Sequence, residues 1–133
     1  MKILDLLQQT QEPSIQYQVA VNLLNTPKAS PEVALLMENV KNSARVKAMF
    51  SERSENGIFM GHPYQKWKGP FYTFLVLADL GYPSGDVTLI PQRDQILDWL
   101  LDKKQLEKIP YYDGRYRRCA LIDSGAVISL LKL

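Results

Sequence analysis

The stretch Gly69-Pro70-Phe71-Tyr72-Thr73-Phe74-Leu75-Val76-Leu77-Ala78-Asp79-Leu80-Gly81 decides the fold. Phe71, Phe74, Leu75 and Ala78 recur at i, i+3, i+4 and i+7, the period of one helix face, and Leu77 and Leu80 widen the apolar stripe. A proline is tolerated at a first helical position because its missing N–H would have no partner there, and a glycine readily takes the left-handed conformation beyond a helix end. Gly69-Pro70 therefore opens a buried helix and Gly81 closes it.

The same period extends upstream. Tyr17, Ala20, Val21 and Leu24 are spaced i, i+3, i+4, i+7, with Ile15, Val19 and Leu23 broadening the face, between Pro13 and Asn25-Thr26-Pro27. A short helix over about Lys2 to Gln9 precedes it. Ser30-Pro31-Glu32 is a strong helix start: a capping hydroxyl, a proline at the first position and an acid in the first turn. Val33, Leu36, Met37 and Val40 follow in phase. Either Ser43 then caps a new helix carrying Val46, Met49 and Phe50, or one helix runs on to about Phe50.

Downstream, Val87 to Ile90 is β-branched and apolar but has no second run to pair with, so it is expected to be loop. A helix is expected over about Pro91 to Asp102, with Ile96, Leu97, Leu100 and Leu101 inward. Asp123 or Ser124 is expected to cap a last helix whose Val127, Leu130 and Leu131 face the core. Two long irregular stretches remain, Ser54 to Lys68 and Ile109 to Leu121, each holding glycine, aromatic and basic residues. Gly125 stands 56 residues after Gly69, and Leu131 stands 56 after Leu75. Such spacing suggests a repeated unit in which a glycine opens an apolar helix after a basic-aromatic loop. The expected fold is all-α, a single helical-repeat domain over 1–133 built as an α/α superhelix of helical hairpins.

Composition sets limits on function. The chain has 133 residues, 46% apolar and 23% charged, with a net charge of +2. These values suit one ordinary globular domain and supply no long-range field for nucleic acid or a membrane surface. One cysteine and one histidine cannot form an intrachain disulfide or a four-ligand zinc site. The opening Met1-Lys2-Ile3-Leu4-Asp5-Leu6-Leu7 lacks the pattern of a signal peptide, and no apolar run approaches the about 20 residues that cross a bilayer. A cytoplasmic protein without cofactor or metal is expected.

No complete catalytic motif is present. His62, as a general base, needs an orienting carboxylate that no motif supplies; the plainer reading is a loop histidine capping backbone carbonyls. Cys119 follows Arg117 and Arg118, which favour a thiolate, yet a lone cysteine before an apolar segment is more often a small hydrophobe. Arg115, Arg117 and Arg118 alternate with Tyr111, Tyr112 and Tyr116, a pattern suited to gripping an anion, or equally to stacking and helix-end bonding. Lys66, Trp67 and Lys68 form a smaller version. Asp94, Asp98 and Asp102 share a spacing of four, which lines one helix face and reads as solvated carboxylates rather than a cation site.

Three stretches carry a family resemblance. Asn56-Gly57-Ile58-Phe59-Met60-Gly61 is similar to an Asp-Gly-x-Trp-Gly turn. Tyr64-x-Lys66-Trp67 with Phe71 to Gly81 resembles the helix that follows such a turn. Gly114-Arg115-x-Arg117-Arg118-Cys119 with Gly125 and Leu130-Leu131 resembles a later unit. Together they resemble the prenyltransferase and squalene-oxidase repeat group, the α/α toroid superfamily that includes terpenoid cyclases, in its uncharacterised bacterial members. The resemblance implies a partial α/α toroid whose two loops share the rim of a pocket. Phe59 stands where that group has Trp, the Asp-x-Asp-Asp acid motif is absent, and the zinc set of protein prenyltransferases cannot be assembled. The function expected is therefore non-catalytic: a module binding an amphipathic, prenyl-type ligand or a protein partner at the rim 57–68 and 111–123. The residues expected there are His62, Tyr64, Lys66, Trp67, Tyr72, Tyr112, Arg115, Arg117, Arg118, Cys119 and Asp123. The alternatives are an enzyme of the terpenoid-cyclase or prenyltransferase type whose catalytic acids lie outside this chain, and nucleic-acid binding through the Arg/Tyr loop. An open end of the superhelix exposes apolar surface, so a homo-oligomer is also expected.

Overall fold

A computed structural model describes residues 3–133. Lys2, the expected start of the first helix, lies outside the described residues, as does Met1. In chain order the elements are α1 (Ile3–Gln8), α2 (Pro13–Gln18) running into a π-helical turn (Val19–Leu23), α3 (Pro31–Lys41), α4 (Ala44–Phe50) and α5 (Pro70–Leu80). A 3-10 turn (Val87–Leu89), α6 (Ile90–Leu101), α7 (Lys103–Glu107), β1 (Tyr111–Tyr112), β2 (Arg115–Tyr116) and α8 (Ala120–Lys132) complete them. The described residues are mainly helical, with one two-stranded hairpin. None of the helices among them is long and apolar enough to cross a membrane.

The helix boundaries follow from capping chemistry. Ser30 Oγ accepts the Val33 N–H at 3.2 Å and Ser43 Oγ accepts the Val46 N–H at 3.3 Å, so the chain stops and restarts between α3 and α4. Gly81 ends α5 at φ 86°.

Consecutive pairing holds for α2, which packs chiefly on α3. By contrast, α5 packs chiefly on α8, with α6 and α2 as lesser neighbours. The core gathers Val40, Val46, Phe71, Phe74, Leu77, Tyr82, Leu89, Ile96 and Ala126. Two glutamines on α6 hold the first long loop. Gln92 Nε2 donates to the Gly57 carbonyl at 3.1 Å, and Gln95 both donates to the Phe59 carbonyl at 2.7 Å and accepts the Phe59 N–H at 3.2 Å. These bonds satisfy backbone groups that a buried loop would otherwise leave unpaired, and they seat the buried Phe59 ring.

Several expectations are corrected. The last helix begins at Ala120, with Cys119 at the cap position making no side-chain bond, rather than at Asp123 or Ser124. Its inward face carries Gly125, Ala126 and Ser129, with Ile122, Leu130 and Leu133 partly covered; Val127 and Leu131 face outward. The reason is close packing: a Cβ on Gly125 would lie 3.1 Å from both Leu75 Cδ2 and Phe71 Cζ, so the smallest side chains occupy the contact and the larger ones are displaced. Gly125 therefore sits inside α8, whereas Gly69 caps α5, and the two glycines are not equivalent positions of a repeat. Leu101 is exposed, being the last residue of α6. Asp102 leaves the row of aspartates because it caps α7, accepting the Gln105 N–H at 3.1 Å. The stretch expected to be irregular after Ile109 contains the hairpin, turned by Asp113 (φ 48°) and Gly114 (φ 74°).

Candidate functional site

The first long loop and the second meet on the aromatic side of α5 and α6. Tyr64 stacks on Trp99 at 5.7 Å between centroids and lies 5.4 Å from Phe71 and 5.3 Å from Tyr72. The His62 ring stands edge-on to Trp99 at 5.5 Å, and its Nδ1 accepts the Tyr64 N–H at 3.1 Å. The Tyr64 phenol titrates above its ordinary value, first through its hydrogen-bonding contact with the Tyr72 hydroxyl, then through partial burial and the nearby Tyr72 and Cys119. Cys119, from the second loop, thus lies near Tyr64, from the first.

Beside this stack lies a cavity of about 230 Å³ between α6, α7, the base of the hairpin and the start of α8. Its apolar walls are Trp99, Leu100, Leu106, Ile109, Pro110 and Ile122. Lys108, Arg117, Arg118, Cys119, Asp123 and Gln105 supply its polar lining. The Arg117 N–H donates to the Pro110 carbonyl at 2.8 Å, which closes the base of the hairpin and carries its side chain to the cavity. Arg118 pairs with Asp123 across the first turn of α8 at 3.0 Å, with both side chains partly exposed. Three basic residues therefore face one acid around an apolar floor. The Trp99 indole N–H is buried in the wall without a hydrogen-bond partner.

The expected site residues divide into three groups. Arg117, Arg118, Cys119 and Asp123 line the cavity. His62, Tyr64, Trp67 and Tyr72 form the aromatic chain behind it, with Trp67 lying 5.6 Å from Tyr72. Lys66, Tyr112 and Arg115 stand outside it: all three are exposed, and Tyr112 and Arg115 are cross-strand partners in the hairpin. Tyr112 still receives the Arg117 guanidinium over its ring at 5.6 Å. Trp67 is 80% exposed and holds φ at 67°, a backbone conformation that a bulky residue rarely adopts.

Sequence reasoning missed the floor of the cavity. Trp99 lies three residues after the buried Ile96, and that spacing places it on the same face. Leu106, Lys108 and Ile109 belong to α7 and its exit, an element the period of α6 does not reveal. Among the described residues no group of three His, Cys, Asp or Glu side chains is placed to hold a metal ion. The chain matches no protein-family model, no curated protein and no solved structure.

Proposed function

We propose that this chain is a non-catalytic binding module that takes an amphipathic anion, of the prenyl diphosphate type, in the cavity between α6, α7 and α8. The observation that carries the reading is the division of that cavity into an apolar floor and a basic mouth. Ligand sites commonly combine a hydrophobic lining with a few convergent polar groups. An apolar chain would displace water from Trp99, Leu100 and Ile122, while Lys108, Arg117 and Arg118 meet the charged head. Planar guanidinium groups suit a phosphate or diphosphate because two parallel N–H bonds reach two oxygens. The volume lies below the about 300–1000 Å³ usual for a drug-sized ligand, so the cavity suits one short apolar end with the head outside. A binding role also fits the condition of His62, whose Nδ1 is occupied by a backbone N–H. The partial α/α toroid, with the rim as its pocket mouth, is the architecture that this reading supposes.

Calorimetric titration tests it. Geranyl diphosphate is expected to bind saturably, and geraniol or inorganic diphosphate alone at least tenfold more weakly. Arg117→Ala should weaken binding at least tenfold, about 1.4 kcal/mol, without changing helical content. Absence of saturable binding overturns the proposal. Incubation with Mg²⁺ should return the ligand unchanged; a cyclised or hydrolysed product would favour the enzyme reading instead.

A further inference from the structure

The outer face of α8 is an apolar feature that the ligand site does not use. Leu131 is 83% exposed, Leu121 59%, Val127 56% and Ile128 49%. Leu121 and Ile128 are seven residues apart, as are Ser124 and Leu131, so the four positions form one seam of two heptads along a helix. Ser124 brings no unpaired donor to that seam, because its hydroxyl is spent on the Ala120 carbonyl at 2.6 Å. Lys132, the charge beside the face, is already engaged with Asp79.

The surface of the whole chain is also large. It exposes 8942 Å² at 15.2 kDa, where a monomer of that mass exposes about 7100 Å². The excess, about 1800 Å², is more than the about 800 Å² that each partner contributes to a standard interface. That surplus is summed over the whole chain, α1 and the hairpin included, and the exposed face of α8 is one part of the area available to an interface.

We propose that a second copy of this chain covers the outer face of α8, the two helices pairing antiparallel about a two-fold axis at the height of Ala126 but on the opposite side of the helix. In that register Leu121 meets Leu131 of the other copy and Ser124 meets Ile128, so each large side chain finds an apolar or small neighbour and no like charges are opposed. A two-fold contact uses one patch twice, and this patch is self-complementary. The inner face of the same helix keeps Ile122 and Asp123 for the cavity, so the pairing and the ligand site are independent.

Sedimentation velocity over a hundredfold range of concentration tests the pairing on the full chain. Wild type is expected at twice the 15.2 kDa chain mass. Ile128→Glu with Leu131→Glu should sediment as a single chain while keeping the wild-type circular dichroism. Wild type remaining a single chain throughout would overturn the proposal. So would a dimer that survives both substitutions on α8 but is lost on Leu23→Glu, which lies on the exposed apolar side of the π-helical turn. A second variant guards against misfolding: Leu121→Cys with Leu131→Cys in a Cys119→Ser background should oxidise to a covalent dimer, because the register sets position 121 against position 131 of the other copy. A monomer after oxidation excludes the antiparallel seam.

Discussion

Gly81 and Gly85 both hold the left-handed backbone, at φ 86° and 76°, yet they occupy different surroundings. A Cβ on Gly81 would lie 2.2 Å from Tyr17 Cδ1, because the Tyr17 ring of α2 lies flat on the end of α5; a Cβ on Gly85 would meet nothing within 4 Å. Gly81→Ala should therefore combine the backbone cost, about 1 kcal/mol, with an overlap cost of about 1–3 kcal/mol. Gly85→Ala should show the backbone cost alone. Urea unfolding of the two variants isolates the packing of α2 on α5, and equal losses would mean that Tyr17 swings aside freely. The left-handed helix end was legible in the sequence, since a glycine at that point has few other uses. The ring above it was not, because nothing in the spacing of Tyr17 says which residue it will touch. The candidate site shows the same division. Arg117, Arg118, Cys119 and Asp123 were legible as a cluster because they are close in sequence, whereas Trp99 joins them only through the tertiary fold.

Among the elements, the connector after α5 is pinned by one carboxylate. Asp86 Oδ2 accepts the Tyr82 hydroxyl at 2.6 Å and lies 2.9 Å from Lys41 Nζ on α3, while its Oδ1 accepts the Thr88 N–H at 2.9 Å and so caps the 3-10 turn. Burial on its own would raise the Asp86 carboxyl, but bonds from Tyr82, Lys41 and Thr88 together outweigh it and hold the group well below the usual carboxylate range. Burial, followed by the Asp86 bond, pushes the Tyr82 phenol above its ordinary value. The signs differ in consequence. The Asp86 contribution is fully present above its unfolded value of about 4 and drains as pH falls through the lower folded value; the Tyr82 contribution is present below about pH 10 and is lost as pH rises beyond it. Asp86→Asn is expected to cost about 2 kcal/mol at neutral pH, chiefly through the Tyr82 and Thr88 bonds, since the Lys41 end is partly exposed. It should also flatten the loss of stability between about pH 4 and 2. Urea midpoints across that range check both, and an unaltered acid slope would remove Asp86 from the account. Helix existence was readable here from capping residues and period, but this network was not, because its members come from α3 and from two turns. The hairpin had a readable signal, Asp113-Gly114 between tyrosines, but its strands of two residues carry too little alternation to distinguish them from loop. The outward turn of Val127 and Leu131 was hidden for another reason: α8 is apolar nearly all round, so its period does not say which face meets α5.

At the scale of the whole molecule the two ends of the chain contribute unequally. Helix α1 has no buried residue, and a six-residue helix is not stable by itself. Its neighbour Thr10 does more, since its carbonyl accepts Gln16 Nε2 at 2.8 Å and so steadies the start of α2. Helix α8, by contrast, covers Phe71 and Leu75 with Gly125 and holds Ser129 buried with its hydroxyl on the Gly125 carbonyl at 2.8 Å. The carbonyl of Leu133, just beyond it, accepts the Gly85 N–H, and Lys132 reaches Asp79 at 3.5 Å, so it also ties down the end of α5. Because α5 takes its main support from a helix four helical elements later, the centre of the molecule closes only when the chain is nearly complete. Deleting residues 1–9, with Thr10 kept, is expected to leave a single cooperative thermal transition within about 4 °C of wild type. Deleting residues 120–133 is expected to abolish that transition and leave helical circular dichroism with strong dye binding, because Phe71, Leu75 and Phe74 lose their cover while the local helix signals persist. Calorimetry of the two truncations distinguishes this closure from a molecule held together by consecutive helix pairs, in which either deletion would cost a similar amount.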